Sequence, residues 1–205
     1  MADNYSLTAK LYDPLLHMAI RPIRQAVLQE LADNQQDAIV DLCCGTGNQM
    51  KLLTHNGFTD LHCVDLSPEM LAIAKQGDYP INIYERDATA TGFDNGRFDA
   101  DIISFALHEK ERSIRARLLT EAHRILKPVS RLLIVDYVFD DRTKLSARYA
   151  ISLVEWIAGD DHYLNFKDYI TNGGLPNLVD PGKFICFKAT RILLNSVIFS
   201  VYRKR

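Results

Sequence analysis

One run of ten residues limits the possible folds of this chain more than any other: Ile39-Val40-Asp41-Leu42-Cys43-Cys44-Gly45-Thr46-Gly47-Asn48. An apolar pair leads into a carboxylate, and a glycine-rich turn follows at once. That order suits a buried strand whose C-terminal end opens onto a ligand. Glycine lets the backbone turn sharply and approach that ligand closely. The residues after the turn read as a helix, whose N-terminus attracts an anionic group. The carboxylate beside it asks for a ligand that also carries a donor or a positive charge.

The rest of the chain repeats the alternation. Asp13-Pro14 pairs an N-cap with a proline at the first helical position. Leu16, Ile20, Ile23, Val27 and Leu31 then mark one face of a helix. Strands are expected at 38–42, 61–64, 81–84, 101–106 and 132–138. Helices fall between them, through Met50 to Leu53, after Ser67-Pro68, and over Ile114 to Ile125, stopping at Lys127-Pro128. The strands are nearly continuous apolar runs, as expected when helices cover both faces of a parallel sheet. Leu145, Tyr149, Ser152 and Trp156 suggest a further helix, and Asn165-Phe166 caps a short one that Asn172-Gly173-Gly174 ends. Two β-like runs, 184–192 and 197–202, are joined by a short connection that favours an antiparallel hairpin.

With 205 residues the chain is expected to form one domain. We divide it into an N-terminal helical segment (1–35), a cofactor-binding core (36–138), a helical substrate cap (139–180) and a terminal hairpin (181–205). The net charge of −2 gives no basic surplus for a nucleic-acid partner. The polar start MADNYSLTAK lacks the apolar stretch of a secretory signal, and no apolar run reaches the ~20 residues of a membrane helix. A cytoplasmic location is expected. The four cysteines lack metal-ligand spacing and read as reduced, buried thiols.

In an open α/β sheet, ligands bind beyond the carboxyl ends of the strands. Those ends carry Asp41, Asp65, Asp87, His108 and Asp136. Any one alone would pass as a turn or a helix cap; as a set they point to a ligand. Asp65 suits both hydroxyls of a ribose. Asp87 suits an exocyclic adenine amine, and Asp41 with the Gly45–Gly47 turn suits an amine-bearing end. A nicotinamide-binding domain is the main rival, but its glycine fingerprint needs a third glycine where Met50 stands.

In order, IVDLCCGTGN, CVDLSPEML, ERDATA, FDADIISFALHE and EAHRILKP resemble the class I S-adenosylmethionine-dependent methyltransferases. The match runs from about residue 36 to 138, and the Cys-Cys-Gly variant resembles the quinone-biosynthesis members. The resemblance implies a Rossmann-like seven-stranded sheet whose last strand is antiparallel. It implies S-adenosyl-L-methionine as cofactor and S-adenosyl-L-homocysteine as product. Asp41, Cys43, Gly45, Thr46 and Gly47 would face the methionine moiety, Asp65 the ribose, and Asp87 with Ala88 the adenine. Leu66, Met70 and Phe105 would line the cofactor cleft, and Tyr12, with Tyr5, would close over the sulfonium. One departure is Lys127-Pro128-Val129-Ser130, where the family often has Lys-Pro-Gly-Gly; it is expected to alter a turn and not the chemistry.

Methyl transfer from a sulfonium is a direct displacement and requires no metal. It needs alignment, exclusion of water and, for some acceptors, removal of a proton. His108 and Glu109 after the fourth strand are candidates for the base, unless they merely cap the next helix. Tyr137 points to the same mouth. Tyr149, Glu155, Trp156, His162, Tyr163 and Phe166 are expected to form an amphipathic pocket. The expected acceptor is a small molecule of lipophilic character. The fourth strand lacks the Asn/Asp-Pro-Pro-Tyr and Pro-Cys runs of nucleic-acid methyltransferases. Two other readings keep the fold: a catalytically silent cofactor-binding module, and aminopropyl transfer.

Overall fold

The computed structural model describes residues 20–205. The start of the first helix at Asp13-Pro14, and with it Tyr5 and Tyr12, lies outside the described residues. Helix α1 is seen over 20–31. It is followed by β1 (Ile39–Leu42), α2 (Asn48–His55), β2 (Leu61–Asp65), α3 (Pro68–Ala74), β3 (Ile81–Glu85) and β4 (Phe98–Ser104). Then come α4 (Arg112–Ile125), β5 (Leu126–Tyr137), α5 (Leu145–Ile157), α6 (Asp160–Thr171), α7 (Leu175–Leu178), β6 (Phe184–Ile192) and β7 (Val197–Lys204).

The strands form one seven-stranded sheet in the order β3-β2-β1-β4-β5-β7-β6. β1 to β5 pair in parallel, and β7 runs antiparallel to both β5 and β6. This is the expected Rossmann-like sheet with its last strand reversed. Strand order reverses between β1 and β4, so their C-terminal ends splay apart and leave a crevice there.

Alternation along the strands builds two cores. Ile39, Leu61, Ile102, Leu133 and Phe199 pack against Ile23, Val27 and Leu31 of α1 and Met50 and Leu53 of α2. On the other face, Val40, Leu42, Ile103 and Ile134 pack against Leu118, Ala122 and Ile125 of α4 and Tyr169 and Leu175 of the cap. Both faces of the central strands are covered, which is why β1, β2 and β4 read as nearly unbroken apolar runs, while the outer strand β6 is mostly exposed.

Local signals set most boundaries. The Ser67 hydroxyl accepts from Met70 N at 3.2 Å, and Pro68 takes the first helical position. Gly57, at φ 88, follows α2 as the Asn-Gly signal predicts. Two strands differ from expectation. β4 starts at Phe98, which pairs with Leu126, and ends at Ser104 because Phe105 turns to φ 52. β5 begins directly after α4 and takes in Lys127-Pro128; proline is tolerated at the register shift found there. Val129 stands at φ 65 and is exposed.

α6 starts at Asp160, five residues before the expected Asn165. Gly159 precedes it, and Asp160 and Asp161 in its first turn suit the positive end of the helix dipole. Among the cysteines, Cys63 is buried and Cys43 and Cys44 are half-buried, but Cys186 is exposed because β6 is an outer strand. No helix among the described residues is long and apolar enough to cross a membrane.

Candidate active site

The glycine turn is built around positive φ: Cys43 at 64, Gly45 at 54 and Gly47 at 67. At Gly47 a Cβ would lie 3.1 Å from the Ala74 Cβ, so the close packing of the turn against α3 demands glycine. At Gly45 a Cβ would meet nothing within 4 Å, so that backbone faces open space. Gly45 N donates to Asp65 Oδ2 at 2.8 Å, and Ser67 N donates to Asp65 Oδ1 at 2.9 Å. The carboxylate after β2 is thereby fixed beside the turn after β1, with a lone pair left on each oxygen.

Asp41 sits one residue from the end of β1 and is buried. Its Oδ1 has no hydrogen-bond partner. Burial and the nearby Asp65 push its pKa up to about 8, against the opposing pull of Arg24. A cleft at the β1/β4 crevice is lined by Asp41, Cys43, Thr46, Gln49, Arg24 and Phe105. An unpartnered buried carboxylate in such a cleft is a site for a cation with N–H donors. Burial, the largest effect, pushes the Cys43 thiol up to about 12, so it lines the cleft as a neutral group.

Leu66, after Asp65, is 64% exposed, an apolar surface next to the expected ribose partner. Met70 is half-buried and Ala88 buried. Asp87 is exposed, with Oδ1 accepting from Thr89 N at 2.8 Å. Arg86 N donates to Asp65 O at 3.1 Å and so ties the β3 end to the β2 end.

The second half of the site lies where β4 and β5 end side by side. Asp136, fully buried at the end of β5, accepts from Leu107 N at 3.0 Å, His108 N at 3.2 Å and Tyr137 N at 2.7 Å. Its Oδ1 lies 2.7 Å from His108 Nδ1. The sequence placed both residues at strand ends, but not in contact; the adjacency of β4 and β5 brings them together. His108 and Glu109 do not cap α4, whose N-cap is Glu111.

Burial alone would lower the His108 pKa, but Asp136, Glu155 and Glu109 outweigh it and the pKa is raised. Burial alone would raise Glu109, yet His162 at 2.9 Å and Lys110 hold it at about 2. His162 is opposed by burial but held between Glu109 and Glu155, and rises to about 9.

The rings of Tyr137 and His108 are 4.6 Å apart, and Phe166 lies 5.8 Å from Tyr137. Phe105, at 5.5 Å from Tyr137, joins this aromatic wall to the cofactor cleft. Of the expected pocket residues, Glu155, His162, Tyr163 and Phe166 gather near His108. Tyr149 and Trp156 do not: they are 75% and 59% exposed. Helical geometry separates them from Glu155, which α5 turns inward along with Ala147.

Arg115 carries no signal in the sequence. Its buried guanidinium donates to Leu107 O at 2.9 Å, Asn165 O at 2.5 Å and Asp168 at 2.6 Å. It locks the His108 turn to α6.

Residues 39–129 match the family described as a methyltransferase domain. The chain is 31% identical over 137 residues to 2-phytyl-1,4-naphtoquinone methyltransferase of Nostoc punctiforme, covering 63% of this chain and 59% of that protein. The chain spans between about half and three-fifths of the length of the curated relatives it matches. Its fold is similar to that of the PH0226 protein of Pyrococcus horikoshii, with a TM-score of 0.68 at 18% identity over 92% of this chain and 89% of that one. It is also similar to 1,6-didemethyltoxoflavin-N1-methyltransferase of Burkholderia thailandensis, with bound 1,6-didemethyltoxoflavin and S-adenosylhomocysteine. There the TM-score is 0.65 at 14% identity, over 98% and 85% of the two chains.

Proposed function

We propose that this chain carries a class I S-adenosylmethionine-dependent methyltransferase domain and methylates a small lipophilic acceptor by direct displacement, a reading that the methyltransferase-domain match over residues 39–129 supports. The observation that carries this reading is the buried, unpartnered Oδ1 of Asp41 in a cleft lined by Cys43, Thr46 and Phe105, beside the turn whose Gly45 N holds Asp65. These residues fit S-adenosylmethionine. Asp41 takes its ammonium group, Asp65 its ribose hydroxyls, and Leu66 with Ala88 and Asp87 its adenine. When bound, the cofactor supplies an electrophilic methyl group on a sulfonium.

The chain's own residues do the rest. Phe105 and Tyr137 form the wall between the cofactor cleft and the cap, and they exclude water from the line of transfer. His108, aligned by Asp136, presents Nε2 to the cap interior. That nitrogen is where an acidic hydroxyl of the acceptor is activated, while Glu109 and Tyr137 position the imidazole and its neighbours. Phe166 and Tyr163 offer an aromatic face to a planar acceptor. The similarity to a naphthoquinone methyltransferase supports a quinone-like acceptor, as do the exposed apolar side chains of α5 and α6, Leu145, Leu153, Trp156 and Leu164.

The test is release of S-adenosylhomocysteine with a panel of hydroxylated quinones and phenols. Transfer to at least one is expected, and His108→Ala should abolish it while leaving cofactor affinity intact. Unchanged turnover in His108→Ala would remove His108 from the chemistry.

A further inference from the structure

The cap closes three potential ligand atoms on one point. His108 Nε2, from the turn after β4, lies 3.6 Å from Glu155 Oε2 of α5. His162 Nδ1, from α6, lies 2.8 Å from the same oxygen. Each of the three residues offers one ligand atom, and all these atoms fall within 4.8 Å of one another. Glu155 is only 3% exposed. Glu155 Oε2 and His162 Nδ1 face each other as an ion pair, but neither atom has a hydrogen-bond partner. Two buried polar atoms left this way call for a missing partner.

The far side of each imidazole is already committed. His108 Nδ1 meets Asp136 Oδ1 at 2.7 Å, and His162 Nε2 meets Glu109 Oε2 at 2.9 Å. A carboxylate on the remote nitrogen fixes ring orientation, and the near nitrogen turns its lone pair to a metal as it releases its proton to solvent on binding; metal-bound histidines are nearly always supported so. Asp136 is itself held by three backbone N–H groups, and Arg115 ties the His108 turn to α6, so both rings are set by rigid surroundings. Two imidazole nitrogens and one carboxylate oxygen form a donor set for a borderline divalent ion such as Zn²⁺, with an open position left for another ligand.

We propose that His108, Glu155 and His162 bind one divalent first-row transition-metal ion, whose open position holds the acceptor's oxygen. This rests on the acceptor-site reading above and deepens it: activation at His108 Nε2 then runs through the bound ion. An ionised hydroxyl bound to the cation suits an ortho-oxygenated or hydroxylated aromatic acceptor. The proton leaves to solvent as the oxygen coordinates, so the step needs no further reactant.

The test is titration of the full chain with Co²⁺, followed by visible absorption, with Zn²⁺ as competitor. One equivalent of Co²⁺ should bind, give ligand-field bands of a low-coordinate site, and be displaced by Zn²⁺. Glu155→Gln and His162→Asn should each weaken binding at least 100-fold, and Glu109→Gln about 10- to 100-fold. Calorimetry with S-adenosylhomocysteine is run on the same variants. Retained cofactor affinity there keeps a failure of the metal site separate from a failure of the methyltransferase reading. If His162→Asn does not fold, Glu109→Gln and Glu155→Gln decide. Absence of stoichiometric binding, or binding that these substitutions leave unchanged, overturns the proposal.

Discussion

Nδ1 of His108 lies 2.7 Å from Oδ1 of Asp136, although 27 residues separate the two in the chain and both are buried. Adjacent parallel strands, β4 and β5, bring their C-terminal ends level and put the pair at the mouth of the sheet. With its backbone and ring donors, Asp136 leaves His108 a single orientation.

Asp136→Asn should therefore cut methyl transfer by about 10²- to 10⁴-fold, the range for a misoriented acid–base group. Affinity for S-adenosylhomocysteine should change little, because Asp136 faces the cap and not the cofactor cleft. Turnover kinetics and calorimetry on one preparation separate the two effects.

Asp41 couples function against stability. Its pKa is 3.8 in an unfolded chain and about 8 when folded. Raised in this way, it lets the unfolded chain lose a proton that the folded one keeps, so its contribution falls as pH rises from about 4 to 8 and is flat above. Asp41→Asn removes that slope and should stabilise the cofactor-free protein at pH 8. We expect a gain on the order of 2 kcal/mol, below the full linkage because the cleft admits water, or about 4–8 °C in Tm. The same variant should lose cofactor binding. In the parent, binding at pH 7 should release a proton, read from calorimetry in two buffers of different ionisation heat.

Arg115→Met should unfasten the cap. Four acceptors from two segments lose their donor, at a cost of about 2–4 kcal/mol. The KM for the acceptor should rise and kcat fall, with cofactor affinity retained. A variant that loses cofactor affinity as much as turnover would contradict this role.

Val129 holds φ 65, where a β-branched residue is strained and glycine is not. It is exposed, so little packing is lost by removing its side chain. Val129→Gly should raise stability by about 1 kcal/mol and Tm by about 2–4 °C. A thermal melt checks it, and activity should not change.

Much of this molecule could be read from its sequence where local chemistry decides the outcome. Ser67-Pro68, Asn56-Gly57 and the Asp41–Gly47 turn each signal their own geometry, and the apolar runs of β1, β2 and β4 imply a sheet covered on both faces. The first misreadings arise where tertiary pairing overrides local signals. Lys127-Pro128 reads as a helix stop followed by a loop, but pairing of Leu126 with Phe98 draws it into β5.

The cap misled for a different reason. α5 displays Leu145, Tyr149 and Trp156 outward and buries Glu155. Periodicity turns Leu145, Tyr149 and Trp156 inward, and of the pocket residues expected on this helix only Glu155 is buried; a helix breaks its apolar pattern when its buried position serves a site. The meeting of Glu155 with His162 and His108 is invisible in spacing, since three separate elements supply the three residues. Arg115 left no trace either; on α4 it reads as one more charge of a solvated face.

The central claim is that the Asp41–Asp65 cleft holds the methyl donor. Isothermal titration calorimetry of the full chain with S-adenosylhomocysteine at pH 7 tests it most directly. We predict one site of micromolar affinity, lost in Asp65→Ala and in Asp41→Asn. No binding heat by the folded parent, or equal affinity in both variants, would contradict the account.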